Sequence, residues 1–198
     1  MGFYSQHVLP WLIDTAMRNG RFTPYRQRVV PAAEGRVLEI GAGSGVNLPY
    51  YSARATEVLG LEPHPKLQTM ASGTGFRMVN GSAEAIPLER ASVDTVVTTW
   101  TLCSIPNADV ALREMRRVLR PGGRLLFVEH GLAPEARVQL WQHRLTPLWK
   151  RIGGGCHLDR VIPELIREAG FEMVELKAGY MAGPRPLTFM YEGSARPL

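Results

Sequence analysis

The sequence predicts an α/β fold: a doubly wound, mostly parallel sheet of seven strands with an antiparallel hairpin at its carboxyl-terminal edge. Three observations predict it. Short runs rich in Val, Ile and Leu recur, as strands buried on both faces require. Segments of helical periodicity alternate with them, the pattern of βα units. The first apolar run, Arg36 to Ile40, is followed by glycines at alternate positions, Gly41, Gly43 and Gly45. The 198 residues suffice for one domain with a full core and are too few for two.

Tyr4, Val8, Trp11, Leu12, Ala16 and Met17 recur at helical spacing, and Pro10 falls in a first turn or splits the segment. A second helix covers Phe22 to Val30. Residues 1–30 are thus read as a helical lid, with a cap on the sheet edge or a membrane-surface helix as alternatives. Residues 31–198 form the main body. Strands follow at Arg36–Ile40, Glu57–Leu61, Phe76–Val79, Val93–Thr99 and Arg124–Val128. A helix-compatible segment is expected after Gly45, and helices at Lys66–Met70, Asp109–Leu119 and Ala136–Lys150. A further helix carries Val161, Leu165, Ile166 and Ala169 on one face, and Gly170 caps it. Phe171–Lys177 and Leu187–Tyr191 read as the edge hairpin, and residues past Gly193 as a frayed tail.

The formal charge of +5 is carried by scattered arginines. They form no stripe interleaved with aromatics, so no nucleic-acid partner is expected. Two cysteines, Cys103 and Cys156, show no paired ligand spacing, so neither a metal site nor a disulfide framework is implied and a cytoplasmic location is expected. Val8 to Ile13 is too short, and too poor in flanking basic residues, for a signal peptide. No run is long enough to span a membrane, which leaves peripheral contact at most. Oligomeric state is not readable.

The glycine turn fits close approach of a ligand to bare main chain. Its G-x-G-x-G spacing differs from the dinucleotide fingerprint. Val58–Leu61 is a second apolar run and ends at Glu62, 21 residues after Gly41. An acid at that distance is placed to accept hydrogen bonds from ribose hydroxyls.

VLEIGAGSGVN (37–47) with VLGLEP (58–63) resembles the class I S-adenosylmethionine-dependent methyltransferases. SVDTVVTTWTLCSIPN (92–107), LREMRRVLRPGGRLLFVEHG (112–131) and GGGCHLDR (153–160) resemble more narrowly the small alkyl-thiol methyltransferase group. Its vertebrate members are microsomal and carry an N-terminal anchor, and no comparable one is expected here. The resemblance runs from about Gly35 to about Tyr191.

It implies a Rossmann-like fold with S-adenosylmethionine as donor and S-adenosylhomocysteine as product. Glu39, Gly41, Gly43 and Gly45 would hold the methionine end, and Glu62 with Pro63 the ribose. Ser82, Ala83 and Glu84 would border adenine, with Ser82 where the family commonly carries an acid. Thr99, Trp100 and Leu102 would line the sulfonium side. His130, at the end of the fifth strand, is the candidate base, unless a loop carbonyl holds it. Cys103, Trp141, His157 and Asp159 are candidates for the acceptor pocket, with packing or solvation as the alternative for each. The acceptor implied is a small, apolar thiol. The alternatives are a lipid-like acceptor (a quinone or phospholipid amine) and a catalytically silent donor-binding module.

Overall fold

Neighbouring residues of a strand point to opposite faces of its sheet, and in the central strands here both sets are apolar and buried. Leu38 and Ile40 of β1 (Gly35–Ile40) face one side with Val96 of β4 (Val93–Thr99) and Phe127 of β5 (Leu119–His130). Val37, Val97, Leu126 and Val128 face the other. The computed structural model describes residues 4–71 and 77–198. With β2 (Ala55–Leu61), β3 (Arg77–Val79), β6 (Phe171–Tyr180) and β7 (Phe189–Pro197), these strands form one seven-stranded sheet in the order β3-β2-β1-β4-β5-β7-β6. The first five pair in parallel, and β7 runs antiparallel between β5 and β6. Phe76, expected to open the third strand, lies outside the described residues.

Helices cover both faces, so the sheet is doubly wound. A π-helical turn (Tyr4–Val8) precedes α1 (Leu9–Met17), which takes Pro10 in its first turn, and α2 (Thr23–Val29) packs Val29 on the second face. α3 (Pro65–Ala71) follows β2. On the first face, α4 (Ala108–Val118) contributes Leu112 and Met115, and α6 (Ile162–Glu168) contributes Ile162 and Ile166. Between them in sequence, α5 (Ala136–Ile152) buries Val138 beside Phe189. Asp94, at the amino end of β4, accepts the Arg36 N–H at 2.7 Å and pairs with Arg120, a structural role far from the strand tips.

Two expectations need correction. No α-helix follows the glycine turn; a single 3₁₀ turn, Leu48–Tyr50, stands in its place. The turn before it is tied to the tip of β2 through its own amides: Gly41 and Ala42 donate to the Leu61 carbonyl at 2.8 and 3.1 Å. Nor is the chain past Gly193 frayed. It is the second half of β7, where Ala195 is fully buried and pairs with both Leu125 and Met173. The edge strand is β6.

This interior position makes Gly193 sensitive. A Cβ there would overlap the Glu175 carbonyl oxygen and come within 3.1 Å of the Phe127 ring. Gly193→Ala is expected to destabilise the fold by about 1–3 kcal/mol, the scale of overpacking against main chain. Urea denaturation monitored by circular dichroism checks this, and an unchanged midpoint would refute it.

Candidate active site

The carboxyl ends of β1, β2, β4 and β5 open into one cavity of about 610 Å³. It lies where the winding reverses between β1 and β4, the usual place for a ligand in an open α/β sheet. α1 roofs it with Leu9, Leu12, Ile13 and Met17.

At one end the glycine turn exposes main chain. Gly41 has φ +67° and Gly43 φ +56°, a region costly for other residues. Around a Cβ at Gly43 the nearest atom would be 3.9 Å away, so that position borders open space. Glu62 is 6 % exposed. One of its oxygens accepts the Gly43 N–H at 3.0 Å and the other the His64 N–H at 2.9 Å. Burial raises its pKa and the two amides oppose that rise. Each oxygen keeps a further lone pair.

Glu39 is buried beneath this turn. It accepts from Tyr51 Oη at 2.7 Å and Asn47 Nδ2 at 2.8 Å, and Asn47 also donates to Thr99 Oγ1 at 2.9 Å. Arg26 Nε completes the set on Asn47 Oδ1 at 2.7 Å. Burial pushes the Glu39 carboxyl up to about 7 against these bonds. The Arg26 guanidinium lies 4.9 Å from the Trp100 ring. Trp100 itself has φ +52°, a conformation that needs support in a residue with a side chain. Its N–H donates to the Val128 carbonyl at 2.7 Å, and its ring meets Phe22 edge-on at 4.8 Å. Its indole Nε1 is buried without a partner among the described residues.

Pro63, Ser82, Ala83 and Glu84 also line the cavity. Ser82 Oγ accepts the Glu84 N–H at 3.2 Å, and the Glu84 carboxylate accepts the Asn107 N–H at 2.7 Å.

The opposite end is walled by Cys103, His130, Trp149, Cys156 and Leu158. His130 is 5 % exposed. Its Nδ1 lies 4.0 Å from Cys156 Sγ, and its Nε2 is buried without a partner among the described residues. His130 lines the cavity, and a buried ring nitrogen without a partner is a position where a further hydrogen bond is called for.

Thus Glu39, Gly41, Gly43, Glu62, Pro63, Ser82, Ala83, Glu84, Thr99, Trp100, Cys103 and His130 converge on one cavity. Gly45 (φ +83°) shapes the turn behind it, and Leu102 is fully buried in the core. Trp141 stands apart, 53 % exposed with Arg144 5.8 Å from its ring. Trp149, eight residues on, is turned about 80° further round the helix and takes the wall position instead. His157 and Asp159 lie 3.8 Å from each other, and Asp159 bonds His143 at 3.0 Å, outside the cavity wall. Tyr25 packs edge-on to Trp100 and does not line the cavity.

Three features escaped the sequence reading. Asp14 of α1 lines the cavity and accepts from Ser44 Oγ of the glycine turn, tying roof to floor. Cys156 faces His130. Glu129, fully buried, accepts from Thr98 Oγ1 at 2.8 Å and from the N–H groups of Thr101 and Cys103 at 3.1 and 3.3 Å, fixing the wall after β4. A signal existed for Glu129: it is the third acid to end an apolar strand run, after Glu39 and Glu62.

Residues 38–127 match the family described as methyltransferase domain. The chain is 36 % identical over 154 residues to a thiol S-methyltransferase of Rattus norvegicus, an alignment covering 73 % of this chain and 63 % of that protein. To a thiol S-methyltransferase of Homo sapiens it is 34 % identical over 173 residues, covering 81 % and 69 %. The chain therefore spans about two thirds of the length of these relatives. A crystal structure from Thermotoga maritima, described as an S-adenosylmethionine-dependent methyltransferase and possible histamine N-methyltransferase, superposes with a TM-score of 0.70. That alignment is 20 % identical and covers 98 % of this chain and 99 % of the other, which shows a shared fold.

Proposed function

The chain belongs to the class I S-adenosylmethionine-dependent methyltransferase family, and on that premise we propose that it methylates the sulfur of a small, apolar thiol. The observation that carries this reading is the unpartnered Nε2 of His130 at the thiol-lined end of a cavity whose other end holds Gly43 and Glu62.

The residues present fit S-adenosylmethionine. Glu62 has a free lone pair on each oxygen for the ribose hydroxyls, Gly43 borders open space, and the buried Trp100 Nε1–H has no partner among the described residues. Bound there, the donor supplies an activated methyl carbon, so the protein's task is to orient the acceptor and exclude water. α1 and its neighbours within residues 4–30 serve as the lid. His130 serves as base: with a proton on Nδ1 toward Cys156, its Nε2 takes the proton of the incoming thiol. In a reducing cytoplasm Cys103 and Cys156 stay unoxidised beside it.

A thiol of pKa ~8.5 is only about 3 % ionised at pH 7, so a base can contribute at most about 30-fold there. His130→Ala is expected to lose most of that factor at pH 7 and to approach the wild-type rate above the acceptor's own pKa. Equal rates at pH 7 would remove His130 from the mechanism.

One observation favours a second reading, a lipid-borne acceptor such as a quinone or phospholipid amine. Trp141, Leu148 and Ile152 of α5 are 53 %, 58 % and 50 % exposed. They run beside Arg137, Arg144 and Arg151, spaced seven apart. An apolar ridge flanked by arginines suits the surface of an anionic membrane. No helix of the described residues is long and apolar enough to cross one. Labelled-donor assays against thiols, phenols and amines, with and without vesicles, separate the readings. Turnover of soluble thiols alone supports the first, a demand for vesicles the second. Donor binding by calorimetry with no transfer to any acceptor would leave a silent binding module.

A further inference from the structure

We propose that Cys156 and Cys103 form a reactive dithiol that exchanges with small apolar disulfides in the cavity, releasing their thiols where the methyl acceptor binds. The benefit to methyl transfer rests on the function proposed above; the exchange itself does not.

The two cysteines come from segments pressed together main chain to main chain. The His157 N–H donates to the Cys103 carbonyl at 2.7 Å. Gly155 has φ +90°, and a Cβ there would sit 3.0 Å from the Ser104 carbonyl oxygen. Gly153 and Gly154 give the loop before Cys156 the same economy of side chain. The result sets both cysteines on the cavity wall, near enough for each thiol to shift the other's ionisation.

The pair is asymmetric. Cys103 is 2 % exposed, whereas Cys156 is partly open and has His130 Nδ1 4.0 Å from its sulfur. The neighbouring Cys103 thiol, then the imidazole of His130, holds the Cys156 thiol below its ordinary range, while the Cys156 thiol and burial push Cys103 up. A thiolate at the surface of the cavity backed by a buried thiol is the arrangement that attack and resolution need. In methyl transfer as derived above neither sulfur reacts, and Cys156 serves only to orient the His130 ring.

Cys156 thiolate attacks one sulfur of R–S–S–R. The disulfide breaks, R–S⁻ leaves, and Cys156 carries the mixed disulfide. Cys103 gives its proton to that departing thiolate, and its sulfur attacks Cys156 Sγ. The second R–S⁻ leaves and takes up a proton from water, replacing the one Cys156 had released to solvent. The small disulfide is reduced to two thiols and the cysteine pair is oxidised to one protein disulfide. A small dithiol reductant restores the pair.

The chain's two cysteines make the stoichiometry clean. Reduced protein, with no methyl donor, is mixed with 4,4′-dithiodipyridine at pH 6, and thiopyridone release and intact mass are followed. Wild type is expected to release two equivalents and retain no adduct. Cys103→Ser should release one equivalent and keep a single thiopyridyl adduct, which Cys103→Ala should reproduce. Cys156→Ser should react roughly 100-fold more slowly, since only the buried thiol remains. Circular dichroism confirms that each variant is folded. Wild type that ends with two adducts, that does not react, or that reacts no faster than Cys156→Ser would overturn the proposal. Because no donor is present, that failure leaves the methyl-transfer reading intact, and absence of methyl transfer would leave the exchange intact.

Discussion

Glu62→Ala is expected to weaken S-adenosylmethionine binding by ~1–3 kcal/mol, about 5- to 150-fold in Kd, the cost of losing a buried hydrogen-bonding partner. Two effects add. The ribose hydroxyls lose their acceptor, and the N–H groups of Gly43 and His64 lose the carboxylate that aligns the glycine turn with the tip of β2. Glu62→Gln separates them. It keeps the shape and one acceptor oxygen but sets an NH₂ against one backbone N–H, so it should fall between wild type and Glu62→Ala. Calorimetry with S-adenosylhomocysteine measures Kd, and a thermal melt without ligand measures the turn alone. An unchanged Kd in Glu62→Ala would remove the ribose assignment. A lower melting temperature with normal affinity would make Glu62 a structural cap.

The glycine-turn end of the cavity was legible because its signals are local. Gly41, Gly43 and Glu62 declare themselves through the main-chain conformation they permit and through spacing along the chain. The strands of the sheet were legible because burial on both faces forces continuous apolar runs such as Val93–Thr99. What the sequence hid was decided by contacts distant in sequence. β7 is interior only because β6 pairs outside it, and Ser194 and Arg196 carry no pattern that says so. Trp141 and Trp149 are equivalent by composition, and only the rotation of α5 against β7 chooses between them. Cys156 and His130 are 26 residues apart and meet through a loop of three glycines whose path no periodicity encodes. The His130 end of the cavity was therefore the less readable half of the candidate site.

Glu129 should be the residue whose loss disturbs this half most. Glu129→Ala would strand the N–H groups of Thr101 and Cys103 and the hydroxyl of Thr98, each a buried donor worth ~1–3 kcal/mol if left unpaired. Relief of a buried carboxylate offsets part of this, so the expected net loss is ~2–4 kcal/mol. The sign of the pH dependence identifies the cause. Burial pushes the Glu129 carboxyl up to about 7 from its ordinary 4.5. Between those values the folded protein holds a proton that the unfolded chain has lost. The contribution is therefore complete below about 4.5 and disappears as pH rises through about 7. Glu39 acts in the same direction, so in this window both groups favour wild type at pH 5.5 over pH 8. Glu129→Gln cannot titrate. Its stability deficit, measured by urea denaturation, should be largest at pH 5.5 and narrow toward pH 8. A gap of constant size would show that Glu129 is ionised throughout and that its hydrogen bonds to the Thr101 and Cys103 amides outweigh its burial. In either case the Trp100–Cys103 wall depends on Glu129, so the variants should also raise the KM for thiol more than the Kd for donor.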